Sequence, residues 1–398
     1  MKRYVLAASL LATVTTAFAS GSAMLLAAQE PATDATVAAP AAPTDSGALA
    51  ALGESLFFDR NLSLNRTQSC ATCHDPDRGF ADSRGLAASL GDDGTSLGDR
   101  NAPTAAYGAL VPPLRQGEDG RWVGGLFHDG RAPRLEDQAG GPPLNPGEMG
   151  MPDKRAVAER LRENPDYQAA FPKLFGAGTL DDPDAAYEAL TKAIAAFERT
   201  DLFAPFDSKY DRFLRGEATL SGQEELGRVL FFSQQFTNCN QCHQLSRNQM
   251  DGRETFTDHR YHNIGVPENT ALRQTNGVAA GTVDPGLAGN PLVDAAAERG
   301  KFRTPTLRNV AVTGPYMHNG VFEDLRTVVS FYNRYNSKAA AAQLKPETGE
   351  PFGFPPVPET LAVKELTHGP ALDDRRVDAL VAFLKTLTDA RYEKLLDE

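Results

Sequence analysis

Tryptophan occurs once in this 398-residue chain, at Trp122, and cysteine only four times. No Lys- or Arg-rich block is present, and 40 basic residues face 52 acidic ones, which argues against nucleic acid or an anionic membrane as partner. A redox partner with a basic patch suits this charge better. Alternating strand-like runs are few, so the fold class expected is mostly α.

The amino terminus carries Lys2 and Arg3 ahead of an apolar run from Val5 to Phe18, with small residues at Ala17 and Ala19. That pattern reads as a secretory signal peptide over residues 1–28 and places the mature chain in the periplasm. Apolar character returns from Met24 to Ala28, as an uncleaved anchor would require, but Ser20, Gly21 and Ser22 interrupt it. Residues 29–46, rich in Ala, Pro, Thr and Asp, read as a flexible linker. In an exported protein four cysteines would ordinarily suggest two disulfides, but their spacing argues otherwise.

Two segments resemble each other: ALGESLFFDRNLSLNRTQSCATCH from Ala51 to His74, and ELGRVLFFSQQFTNCNQCH from Glu225 to His243. The repeat predicts two related domains, 47–203 and 204–398, with the boundary near Asp201 to Phe206. Helical periodicity covers Lys154 to Leu174, Asp184 to Arg199, Ser221 to Phe232, Leu325 to Tyr335 and Asp373 to Leu387. Ser221 followed by Glu224 forms a capping-box signature. Between the helices lie long Gly/Pro-rich loops at Ala81 to Arg100, Val111 to Gly125 and Thr255 to Gly300, as suits a fold organised around a cofactor.

Cys70-Ala71-Thr72-Cys73-His74 and Cys239-Asn240-Gln241-Cys242-His243 are both C-x-x-C-H. This spacing lets two thiols bond the vinyl groups of a haem while the adjacent imidazole ligates its iron. A four-cysteine zinc site or a redox C-x-x-C would not explain a His after the second cysteine in both copies. Two covalently bound haem c groups are therefore expected, held by Cys70, Cys73 and His74 and by Cys239, Cys242 and His243. The sixth position of each iron sets the chemistry: two protein ligands make an electron carrier, whereas an open face can bind peroxide.

Further motifs follow in a fixed order: Arg100-Asn101-Ala102-Pro103-Thr104, Phe127-His128-Asp129-Gly130-Arg131, Glu136-Asp137-Gln138 and Asn145-Pro146-Gly147-Glu148-Met149. After the second haem motif come Pro305-Thr306-Leu307-Arg308-Asn309, Gly314-Pro315-Tyr316-Met317-His318-Asn319-Gly320 and Ala382-Phe383-Leu384-Lys385-Thr386-Leu387. Across nearly all of Gly47 to Asp397 the sequence resembles the bacterial di-haem cytochrome c peroxidase family, including its MauG-type branch of protein-modifying enzymes. The resemblance implies a distal acid/base role for Glu148, with Gln138, Phe127 and Pro142 lining the peroxide pocket. A carboxyl in a partly apolar pocket has its protonation tuned towards neutral pH, which suits proton transfer between the two peroxide oxygens. Asn101, Thr313 and Pro315 match positions whose oxygens hold a calcium ion in the family, and hard oxygen donors suit calcium.

The sequence departs from the peroxidase pattern in three places. No His lies between His74 and His128, where the better-known peroxidases carry a distal His that blocks the first haem; Asp93 takes the approximate position. Tyr332 stands where the electron-transfer haem of those peroxidases has an axial Met, as in the MauG-type branch, with Met317 as the competing ligand. His128 replaces a bridging Trp, and reads as a relay by tunnelling, a loop residue or a new distal ligand, unless Trp122 folds into the gap. His259 and His262, flanking Tyr261, could contact a haem propionate, but exposure to solvent is the favoured reading.

Together these readings describe a mostly helical protein of two cytochrome c-like haem domains with long loops. Hydrogen peroxide is reduced at the first haem, and the second supplies or stores electrons. These come from a small cytochrome or cupredoxin, or from an aromatic side chain of a protein substrate. A homodimer is a further option, nucleic acid is not a partner, and a non-catalytic di-haem electron carrier is the competing class.

Overall fold

The computed structural model describes residues 45–246, 252–279, 281–293 and 296–397. The expected signal peptide, and the linker up to residue 44, lie outside these residues. The principal helices are α1 (Asp45–Phe57), α2 (Leu135–Ala139), α3 (Lys154–Arg162), α4 (Pro165–Phe175), α5 (Pro183–Glu198), α6 (Gly222–Phe231), α7 (Leu325–Asn333) and α8 (Asp374–Lys385). Extended structure among the described residues is slight: β1 (Arg115–Gln116) pairs antiparallel with β2 (Trp122–Val123), and β3 (Tyr261–His262) with β4 (Phe302–Arg303). No described helix is long and apolar enough to cross a membrane.

Local chemistry explains the helix ends. The Ser221 hydroxyl accepts from the Glu224 amide, and the Glu224 carboxylate accepts from the Ser221 amide at 2.6 Å, closing the expected capping box on α6. The single helix expected over Lys154 to Leu174 is instead two. Pro165 has no amide hydrogen to continue α3, and it starts α4 behind an Asn164 cap that accepts from the Asp166 amide. Periodicity alone does not register such a break, because Val157 and Leu161 of the first piece and Tyr167 and Phe171 of the second enter one core.

One packing device occurs twice. Gly53 of α1 lies so close to α5 that a Cβ there would fall 1.9 Å from the Ala193 carbonyl oxygen. Gly227 of α6 approaches α8 in the same way, its Cβ position being 1.8 Å from the Ala379 oxygen. Each pair seats an aromatic core: Phe57, Phe80, Phe197 and Phe203 in the first half, Phe231, Phe256 and Phe383 in the second. Phe80 and Phe256, six and thirteen residues beyond the motif histidines, are both fully buried with left-handed backbones, at φ 55° and 54°.

The halves are tied through polar bonds. Within the second half Asp211 and Arg308 form a fully buried ion pair, and the guanidinium lies over the rings of Phe206 and Phe256 and, across the boundary, of Tyr107. Tyr107 donates to Asp389 at 2.7 Å, Arg100 to Asp284 at 2.7 Å, and a bridge joins Val123 to Arg260. The described residues form one compact unit. Loss of either Arg308 or Asp211 alone would strand a buried charge, at a cost of about 3–5 kcal/mol.

Candidate haem-binding site

A cavity of about 1220 Å³ opens between the halves and is lined by residues of both C-x-x-C-H motifs. It exceeds the ~300–1,000 Å³ of an ordinary small-molecule pocket. All four cysteines are unpaired thiols on its wall. Burial pushes the Cys70 thiol up to about 12, with the nearby Glu198 carboxyl adding to the shift.

Both motif histidines are held alike. His74 Nδ1 lies 3.2 Å from the Phe80 carbonyl oxygen, and His243 Nδ1 lies 3.2 Å from that of Phe256. A carbonyl only accepts, so Nδ1 carries the proton and Nε2 keeps the lone pair that a metal needs. Burial lowers the pKa of both imidazoles and favours this neutral form. Free thiols, ligand-ready imidazoles and the large cavity fit two covalently attached haems.

Around the first motif the cavity wall brings together Glu148, Gln138, Phe127 and Pro142 with Cys70, Cys73 and His74. Glu148 ends a tight turn in which its amide donates to the Asn145 carbonyl at 3.0 Å, and its Oε1 accepts from Asn145 Nδ2 at 2.9 Å. Burial raises its pKa, opposed by the charge of Arg131 and by the Asn145 bond. Arg131 stacks 3.7 Å over the Phe127 ring, which a left-handed φ of 60° turns into the pocket wall.

Around the second motif, Tyr332 and Met317 both line the cavity. Burial, then the neighbouring Cys242 and Cys239 thiols, push the Tyr332 phenol pKa up. Asn101, Thr313 and Pro315 reach the same wall. The Asn101 carbonyl oxygen accepts from His128 Nε2 at 2.9 Å, and its amide donates to the His318 oxygen at 2.8 Å.

Several positions whose readings stood open take definite places. His128 is not a surface residue: it faces the cavity, and burial drives its pKa down to about 4. Asp93 is exposed and caps its own turn through Thr95 and Ser96, away from the cavity wall, because its neighbouring amides satisfy the carboxylate locally. Trp122 packs with Tyr261, Leu287 and Val293, away from the cavity. His259, 3% exposed, and the half-buried His262 both face the cavity, which overturns the solvent reading. The β3–β4 pairing and the left-handed turn at His259, φ 56°, draw that loop inward.

Two features went unread in the sequence. Phe127-His128-Asp129-Gly130 and Met317-His318-Asn319-Gly320 adopt the same turn, bridged at Leu126–Ala132 and Tyr316–Phe322, with φ of 60° at Phe127 and 72° at Met317. The repeated His and Gly were the available signal. Glu198 is buried on the cavity wall, its carboxyl pushed up to about 8 by burial, where the repeat places Leu384. Pairing Phe197-Glu198 with Phe383-Leu384 would have exposed the difference.

The fold and the duplicated thiol and imidazole arrangement define a c-type di-haem protein. Residues 47–219 match the family model for di-haem cytochrome c peroxidase. The chain is 54% identical over 362 residues to the methylamine utilization protein MauG of Paracoccus denitrificans, covering 90% of this chain and 92% of that protein. It is 32% identical to cytochrome c551 peroxidase of Nitrosomonas europaea, over 79% of this chain and 80% of that one. The diheme peroxidase BthA of Burkholderia thailandensis superposes with a TM-score of 0.77 at 35% identity, covering 86% of each chain. The chain belongs to the di-haem cytochrome c peroxidase family.

Proposed function

We propose that this protein is a periplasmic, MauG-like di-haem peroxidase that reduces hydrogen peroxide to two molecules of water, using two electrons and two protons. The observation that carries this reading is Glu148, a carboxyl of raised pKa on the wall that also holds Cys70, Cys73 and His74. Residues 47–203 form the peroxidatic domain and 204–398 the electron-transfer domain, each with one haem. The haems supply the redox chemistry; the chain supplies orientation, exclusion of water and proton transfer. Glu148 would take a proton from one peroxide oxygen and return it to the other as the O–O bond breaks, with Gln138 positioning the peroxide and Phe127 and Pro142 keeping the pocket dry.

The electrons come from a small cytochrome or cupredoxin, or from an aromatic side chain of a partner protein that is thereby oxidised. The second source is favoured by Tyr332, whose ring stands beside Cys239 and Cys242 with no hydrogen bond to another described residue. A phenolate donor favours higher oxidation states and lowers the potential. Tyr332→Phe is therefore expected to change the absorption and spin-resonance signature of one haem and raise its potential; unchanged spectra would transfer the iron-holding role to Met317. Asn101, Thr313 and Pro315 hold calcium, and the export signal occupies residues 1–28.

The direct test adds hydrogen peroxide to the oxidised, haem-loaded protein. With no His between His74 and His128, a high-spin signal is expected in the resting state, followed by a rapid spectral change and oxidation of an added donor. A purely low-spin, peroxide-inert protein would be an electron carrier.

A further inference from the structure

Arg303 and His259 both line the cavity wall, close enough for the Arg303 charge to act on the imidazole. The Arg303 amide donates to the His128 carbonyl oxygen at 2.8 Å, and its Nε to that of Phe127 at 3.3 Å. Its terminal nitrogens make no ion pair or hydrogen bond with any described residue, and burial lowers its pKa. His259 is fixed by its backbone, the amide donating to the Thr257 hydroxyl at 2.9 Å and the carbonyl accepting from Gly124 at 2.9 Å. Both of its ring nitrogens are buried and unpartnered. A buried imidazole with neither nitrogen bonded ordinarily finds a partner, and so does a guanidinium with no counter-charge.

Neighbouring acids are already engaged. Arg100 is paired with Asp129 at 2.6 Å and Asp284 at 2.7 Å. Asp129 also holds Arg131, and Asp258 faces His262. The missing counter-charge must therefore be an anion brought into the cavity. The segment that carries His259 leads back to the second motif, the Asp258 amide donating to the Cys242 carbonyl at 2.7 Å.

We propose that Arg303 and His259 form a two-point anchor for a carboxylate side chain of the haem bonded to Cys239 and Cys242, and that the Arg303 charge holds that haem's potential up. The proposal rests on the di-haem reading above. A nearby cation favours the reduced iron, so its loss lowers the potential.

The test uses Arg303→Leu protein matured in a host that attaches haem c, with mass measurement counting the porphyrins. Potentiometric titration at pH 9, where the uncovered carboxylate is ionised, is expected to show one midpoint falling and the other nearly unmoved, with Arg303→Lys recovering most of the difference. Two attached haems with both midpoints unchanged would overturn the anchor. If Arg303→Leu does not accumulate, the propionate bending modes in the resonance Raman spectrum of Arg303→Lys decide: a shift supports the anchor, and identical modes overturn it. Wild-type protein without porphyrin would instead refute the di-haem reading.

Discussion

Glu148→Gln should slow peroxide turnover by about 10²–10⁴-fold while both haems remain attached, the loss expected when a positioned general acid/base is removed. Gln keeps the size of the side chain and can still bond Asn145, so the pocket should survive; it cannot take up a proton and return it. The accepting step needs the carboxylate, whose pKa burial raises above its usual range. The wild-type rate constant should therefore rise with pH as Glu148 ionises, and this limb should vanish in the variant. Stopped-flow measurement of the reaction with peroxide across pH 4–8 decides it. A variant reacting at the wild-type rate, or one retaining the acidic limb, would move the proton-transfer role elsewhere, with the buried Glu198 the next carboxyl on the cavity wall.

The meeting of both thiols and the imidazole on one cavity wall was legible because it is local: five consecutive residues carry all three. The pocket of Glu148, Gln138, Phe127 and Pro142 is not local, and only the ordered motifs of the family resemblance anticipated their meeting. Most of the helices were readable from their apolar period, whereas the α3–α4 break depended on one proline. Misreadings concentrate in loops, where side-chain direction follows backbone sign rather than periodicity. His259 faces inward because its φ is positive, and Asp93 stays outside because amides two and three residues on satisfy it. No composition rule separates those two polar residues, since both are of types usually found at the surface.

Gly53→Ala and Gly227→Ala set two effects of opposite sign against each other. Alanine inside a helix normally gains about 1 kcal/mol over glycine by restricting the unfolded chain. Here the new methyl would lie 1.9 Å from the Ala193 oxygen or 1.8 Å from the Ala379 oxygen, against the ~3.3 Å at which carbon and oxygen ordinarily touch. Both neighbours are backbone atoms that no rotamer change can withdraw, so the helices must part, and such overpacking lies at or beyond the top of the usual range of about 1–3 kcal/mol. Sterics therefore win, and both variants should melt below the wild type. The damage should also be local in origin. Opening α1 from α5 disturbs the wall that carries Glu198 and should weaken the peroxide-reactive signal first. Opening α6 from α8 should alter the other haem's spectrum first. Thermal melts followed at both haem signatures check this; an unchanged or higher melting temperature for either variant would mean that the close helix contact does not set the spacing of its half.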